Sequence, residues 1–192
     1  LGHNHLMKPV KLIPYVCGLG GSVPGAECGP LDLYNHFKIP EGGPLDISWA
    51  YNPYDDYLQD FGEAAHKNPP PLGDPQRKAV ILEHCKKLRD VVCQTVQDGA
   101  LPITIGGDHS MALGSITGVA QATETKGRLG VLWIDAHPDF NTPETSPSMA
   151  MHGMPNAALF GLGDEDYISI TGEKTVLDPE DFFYFGVRAV DE

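Results

Sequence analysis

Asp135-Ala136-His137-Pro138-Asp139 sets a carboxylate, an imidazole and a second carboxylate at alternate positions, directly after the apolar run Gly130-Val131-Leu132-Trp133-Ile134. In extended chain leaving a strand, period-two spacing turns all three side chains to one side. Left unpaired there, they carry a desolvation and repulsion cost of several kcal/mol, which a divalent cation offsets. Oxygen plus imidazole suits manganese, iron or zinc, and the absence of thiolates argues against a structural zinc site. A second segment, Gly106-Gly107-Asp108-His109-Ser110, follows the apolar run Leu101 to Ile105. Alone, it reads equally as a capped helix start with His109 a surface imidazole, and D-x-H-x-D alone reads as a solvated loop. Together, at the ends of consecutive strands about 5 Å apart, they read as one site.

The elements that position these loops follow from apolar periodicity. Val10 to Val16 reads as a first strand, running into the Gly-rich turn Gly18 to Gly29, with a short helix over Leu31 to Phe37. Residues Lys38 to Asp74, rich in Pro, Gly, Asn and Asp, read as loop with one strand near Leu45 to Trp49. Pro75 opens a strong helix: Ile81, Cys85, Leu88, Val92 and Val96 form one stripe, and Gly99 ends it. Leu101 to Ile105, Gly130 to Ile134 and Asp181 to Val187 read as buried strands. Ser110 is expected to cap a helix to Thr125, and another helix spans about Gly153 to Gly161. Continuous apolar strands alternating with amphipathic helices predict an α/β chain, its mainly parallel sheet covered on both faces. Such sheets gather their chemistry at the carboxyl ends of the strands, where both loops lie.

Composition narrows the function. Over 192 residues, 26 acids oppose 13 bases, for a net charge of −13. That excludes a nucleic-acid binder relying on a basic patch. No apolar run is long enough to span a membrane. With no secretory signal legible at the start, a reducing, cytoplasmic setting is the expectation. Cys17, Cys28, Cys85 and Cys93 form no C-x-x-C pair, and Cys85 and Cys93 read as buried free thiols. Leu1 to Leu6 reads as a remnant or frayed terminus ahead of Met7, not as a metal site at His3 and His5.

Gly106 to Ser110 and Asp135 to Asp139 resemble the first two signature motifs of the ureohydrolase family, the arginases and agmatinases, and Gly25-Ala26-Glu27-Cys28-Gly29-Pro30 resembles the family's early loop. The resemblance implies the three-layer α/β/α arginase-like fold, with residues 1–192 the N-terminal part of a single domain. It also implies a pair of Mn²⁺ ions per complete active site. His109 and Asp139 would bind one ion and His137 the other, with Asp135 bridging. The stretch Asn141 to Gly153 resembles the arginase version more than the agmatinase one. By that resemblance Asn141, Ser146 and Ser148 hold the substrate α-carboxylate, His152 is the acid/base group or proton shuttle, and Asp191 contacts the α-ammonium group. Each also has a plainer reading: an Asx-turn for Asn141, loop hydroxyls for Ser146 and Ser148, a helix-start residue for His152.

The implied reaction is hydrolysis of L-arginine to L-ornithine and urea by a metal-bridging hydroxide. Agmatinase, another guanidino-hydrolase, or a truncated non-catalytic chain acting in assembly or binding are the alternatives. Family members commonly form homo-oligomers, trimers or hexamers. The family's third motif, S-x-D-x-D-x-x-D-P, has no counterpart here, because Asp178-Pro179 precedes the last strand and lacks the spaced partners. Four protein ligands then stand where two metals want six, so the expectation is an arginase-like chain lacking its C-terminal part.

Overall fold

Every strand among the described residues pairs in parallel, in two separate groups. The computed structural model describes residues 7–59, 68–172 and 176–190. Strand β1 (Val10–Tyr15) lies between β2 (Ile47–Trp49) and β3 (Leu101–Gly106), in the order β2-β1-β3. Strand β4 (Val131–Ile134) pairs with β5 (Phe182–Phe185) from Val131↔Phe182 to Ile134↔Phe185. The helices are α1 (Cys28–His36), α2 (Pro53–Gln59), α3 (Pro75–Gln97), α4 (Met111–Thr123), α5 (Pro155–Leu159) and α6 (Glu165–Ile168). This is an α/β fold with the parallel pairing that the sequence predicts.

Helix α3 organises the core. Asp74 caps it by accepting from Gln76 N at 2.8 Å, and Pro75 takes the first position, where a missing N–H costs nothing. Ile81, Cys85, Leu88 and Val92 are buried as the stripe requires, each apolar residue contributing about 1.5–3 kcal/mol relative to exposure. The last turn differs from the expectation: Thr95 is buried and Val96 only half-buried, because 3.6-residue periodicity carries the face to position 95. The stripe packs against Ile13, Tyr15, Cys17 and Leu19 of the first strand and its exit, and against Leu113 of α4. Helices α3 and α4 meet almost backbone to backbone. A Cβ on Gly114 would lie 2.4 Å from Cys85 O, and one on Gly118 would lie 2.5 Å from Arg89 O.

The structure corrects several local expectations. Residues 38–74 are not all loop: α2 forms there, opened by Pro53 with Asp55 and Asp56 in its first turn. Ser110 does not cap α4. Its hydroxyl is 2.7 Å from Tyr15 Oη, and Asp108 Oδ1 accepts from Ser110 N instead. The helix expected from Gly153 begins only at Pro155, after a 3-10 turn over Met151–Gly153. Cys85 is buried, but Cys93 is only half-buried.

The larger correction concerns the sheet. Strands β3, β4 and β5 were expected to be buried, yet Leu132 is 63% and Ile134 69% exposed, while Phe183 and Phe185 are similarly open. Trp133 and Phe182 face the core, and no described element covers the opposite face of β4 and β5. Strands β3 and β4 are not hydrogen-bonded neighbours, so the 5 Å spacing assumed for the two loops does not hold. An apolar run reports what a strand is suited to pack against, not which strand stands beside it. No described helix is long and apolar enough to cross a membrane.

Two outcomes test this packing. Gly114→Ala should lower stability by about 1–3 kcal/mol in urea unfolding, as over-packing does, although alanine is the better helix former. Burial pushes the Cys85 thiol up to about 12, and Cys17 is buried likewise. Iodoacetamide at pH 8 should therefore label exposed Cys28 readily and spare Cys17 and Cys85 until the chain unfolds.

Candidate metal centre

The backbone leaving β3 is fastened before it reaches His109. Gly107 N donates to Tyr15 O at 2.9 Å and Asp108 N to Cys17 O at 3.0 Å, which extends the β1–β3 ladder by two bonds. The Asp108 carboxylate is buried and accepts from Gly20 N at 2.8 Å and Ser110 N at 2.9 Å. Burial pushes its pKa above the usual carboxylate range, although the Ser110 and Gly20 hydrogen bonds pull the other way. Gly20 is required by this fit, since a Cβ there would lie 2.4 Å from Asp108 Oδ1. Buried Arg77 locks the same turn, Nε donating to Leu19 O and Nη2 to Gly21 O, both at 2.6 Å. Gly20 O then accepts from His152 N at 3.1 Å. One turn thus connects the His109 loop to the His152 turn.

His109 meets the second loop directly. Its Nδ1 lies 2.6 Å from Asp139 Oδ2 and 3.1 Å from Asp135 Oδ2. Its ring stacks on Trp133, with centroids 4.4 Å apart and planes at 26°. Burial disfavours the imidazolium, but the Asp139 hydrogen bond and the charges of Asp139 and Asp135 outweigh it and raise the His109 pKa. Burial likewise works against the Asp135 carboxylate, and the His137 backbone N–H and His109 outweigh it, so its pKa falls. Ligand atoms of His109, Asp135 and Asp139 all lie within 4.8 Å of one another. An imidazole nitrogen between two carboxylate oxygens fits a divalent cation of the manganese, iron or zinc type.

The means of convergence differs from the sequence expectation. Residues 135–137 bend, and Asp139 has a φ of 44°, so the loop is not extended and alternation does not align its side chains. His137 lies outside the group of three. Its largely exposed ring holds Nδ1 3.5 Å from Asp135 Oδ1. Local turns, not strand pleat, bring Asp135 and Asp139 to His109.

A cavity of about 270 Å³ opens on this cluster, with His109, Asp135, His137 and Asp139 on its lining. Asn141, Ser146, Ser148 and His152 line it as well, so these expected substrate-side residues share the metal cluster's space. Asn141 N donates to Gly153 O at 3.0 Å, and its Oδ1 accepts from Thr145 Oγ1 at 3.0 Å. Ser146 Oγ accepts from Met149 N, and Ser148 Oγ from Ala150 N at 3.2 Å. Both hydroxyls therefore shape the loop, and a hydroxyl that accepts one N–H still has its proton to donate. Asp191 lies outside the described residues. The segment before it reaches the site, since Arg188 N and Ala189 N both donate to Ala136 O, at 2.9 and 3.0 Å.

Sequence reasoning missed Trp133, which reads as one more core residue of an apolar strand, and Arg77, which reads as an exposed helix charge. Neither has a local signal. Trp133 also donates from Nε1 to His137 O at 3.3 Å, so one side chain braces both histidine segments.

The arginase family model matches residues 9–192. The arginase of Bacillus caldovelox is 37% identical over 97% of this chain, which spans 60% of that relative's length. Its native crystal structure superposes with a TM-score of 0.75 at 35% identity, over 96% of this chain and 60% of that one. The crystal structure of Entamoeba histolytica arginase in complex with L-ornithine gives a TM-score of 0.75 at 33% identity, over the same shares of the two chains. The chain thus spans about three-fifths of the length of these relatives, and over that length it belongs to the arginase family.

Proposed function

We propose that this protein hydrolyses L-arginine to L-ornithine and urea, with His109, Asp135, His137 and Asp139 contributing to a binuclear manganese centre. The observation that carries the reading is the cluster of His109, Asp135 and Asp139 facing one cavity with Asn141, Ser148 and His152. The relatives named arginase support it. Two Mn²⁺ ions, when bound, supply Lewis acidity and bring the pKa of water toward neutrality.

The chain's own residues divide the remaining work. His109 and Asp139 would hold one ion and His137 the other, with Asp135 contributing to both. Trp133 fixes the plane of the His109 imidazole, so that Nδ1 stays turned toward the carboxylates. Asn141, Ser146 and Ser148 donate to the substrate α-carboxylate without competing for the cations, while Asp191 accepts from the α-ammonium group. These contacts place the guanidinium beside the carboxylate cluster, whose negative charge suits a cationic substrate. His152, anchored through its backbone to Gly20, passes a proton to the departing amine.

Incubating the Mn²⁺-loaded full-length protein with arginine and with agmatine, and measuring urea, tests the reading. Release from arginine is expected, whereas release from agmatine alone would overturn the assignment. His109→Asn removes a direct ligand, so Mn²⁺ affinity should fall by at least the roughly 10–100-fold typical of changes one shell further out. Ser148→Ala should raise KM for arginine by about 10–100-fold, the worth of one hydrogen bond to a charged group, and leave an analogue without the α-carboxylate unaffected.

A further inference from the structure

Asp139 is the point where the metal loop departs from ordinary backbone. Its φ of 44° is left-handed, a region that few residues with a side chain occupy. Its carboxylate must nonetheless point at His109 Nδ1, 2.6 Å away. The direction of its Cβ is set by the two peptide planes on either side of its Cα, and one residue elsewhere in the chain holds both. Asn156, in the first turn of α5, donates from Nδ2 to Pro138 O at 2.8 Å and from its backbone N to Asp139 O at 3.1 Å. Tyr184 on β5 donates its hydroxyl to the same Pro138 O at 3.0 Å.

Asn156 is fully buried, and among the described residues its Oδ1 has no hydrogen-bond partner. A buried amide used on one side only is a poor choice for packing, because an apolar side chain of similar volume would carry no desolvation cost. Its donor half is the part in use, and that half goes to the loop bearing Asp139.

We propose that Asn156 is a positioning residue for the metal centre: by holding the carbonyls on both sides of Asp139 it fixes the left-handed turn that aims the Asp139 carboxylate. This rests on the metal-site reading above and deepens it. The residue touches no ligand atom itself; it acts through Pro138 and Asp139, with Tyr184 as a second hold on the first carbonyl.

Asn156→Leu tests this on the 192-residue chain, because it keeps the branching and the number of side-chain heavy atoms, removes the side-chain donor and relieves the unpaired oxygen. Two readouts are compared with the parent: Mn²⁺ affinity by titration against the electron paramagnetic resonance signal of free Mn²⁺, and amide exchange of residues 137–141. Positioning predicts thermal stability equal to or above the parent, Mn²⁺ affinity about tenfold weaker, and exchange at 137–141 about tenfold faster with β1 and α3 unchanged. A purely structural role predicts a lower melting temperature, with affinity and local exchange within twofold of the parent, and that result overturns the inference. Should Asn156→Leu fail to fold, Tyr184→Phe at a partly exposed position decides through the same carbonyl, and no change in either readout then counts against it. A parent chain that binds no Mn²⁺ removes the metal reading. The exchange comparison still decides the positioning of Asp139.

Discussion

Holding two carboxylates against one imidazole is the constraint on which the rest of the structure turns. Asp135 and Asp139 both reach His109 Nδ1, and Asp139 is itself buried. Like charges brought this close repel, and each loses hydration as it enters the fold. Without a cation the two carboxylates favour the imidazolium, which raises the His109 pKa against the opposing effect of burial. With a cation the same three atoms are a ligand set. The arrangement is unfavourable to assemble and therefore has to be imposed by the surrounding fold.

The imposition comes from buried polar contacts around the two loops. Arg77 and Asp108 grip the Gly18 to Gly21 turn from opposite sides, the first through carbonyls and the second through an N–H. That turn in turn receives His152 N, so His152 and His109 share one support. Trp133 holds the ring of His109 by stacking and the His137 segment by a hydrogen bond. Asn156 and Tyr184 hold the far side of the second loop. Such supports act with the whole core behind them, because α3 and α4 meet at Gly114 and Gly118 with no slack between their backbones.

Open apolar surface on β4 and β5 is the other consequence of the architecture. Leu132, Ile134 and Phe185 lie exposed on one face while Trp133, between them, is buried beneath His109. The site therefore forms on the covered face of a sheet whose other face is free of described packing. The relatives that this chain matches extend well beyond its length.

How much was legible beforehand divides along physical lines. The α3 stripe, the parallel α/β class and the candidacy of His109, Asp135 and Asp139 as one polar cluster follow from residue types and spacing, because amphipathic periodicity and donor chemistry are properties of a local stretch. The sequence by itself also carries the family, through two short motifs. It could not place β3 and β4 apart, since an apolar run has no record of its lateral neighbour. Nor could it show that turns with a left-handed Asp139, and not strand alternation, make the carboxylates converge. The roles of Trp133, Arg77 and Asn156 belong to the tertiary structure alone, because each acts on atoms distant in the chain and takes its meaning from what the fold sets beside it.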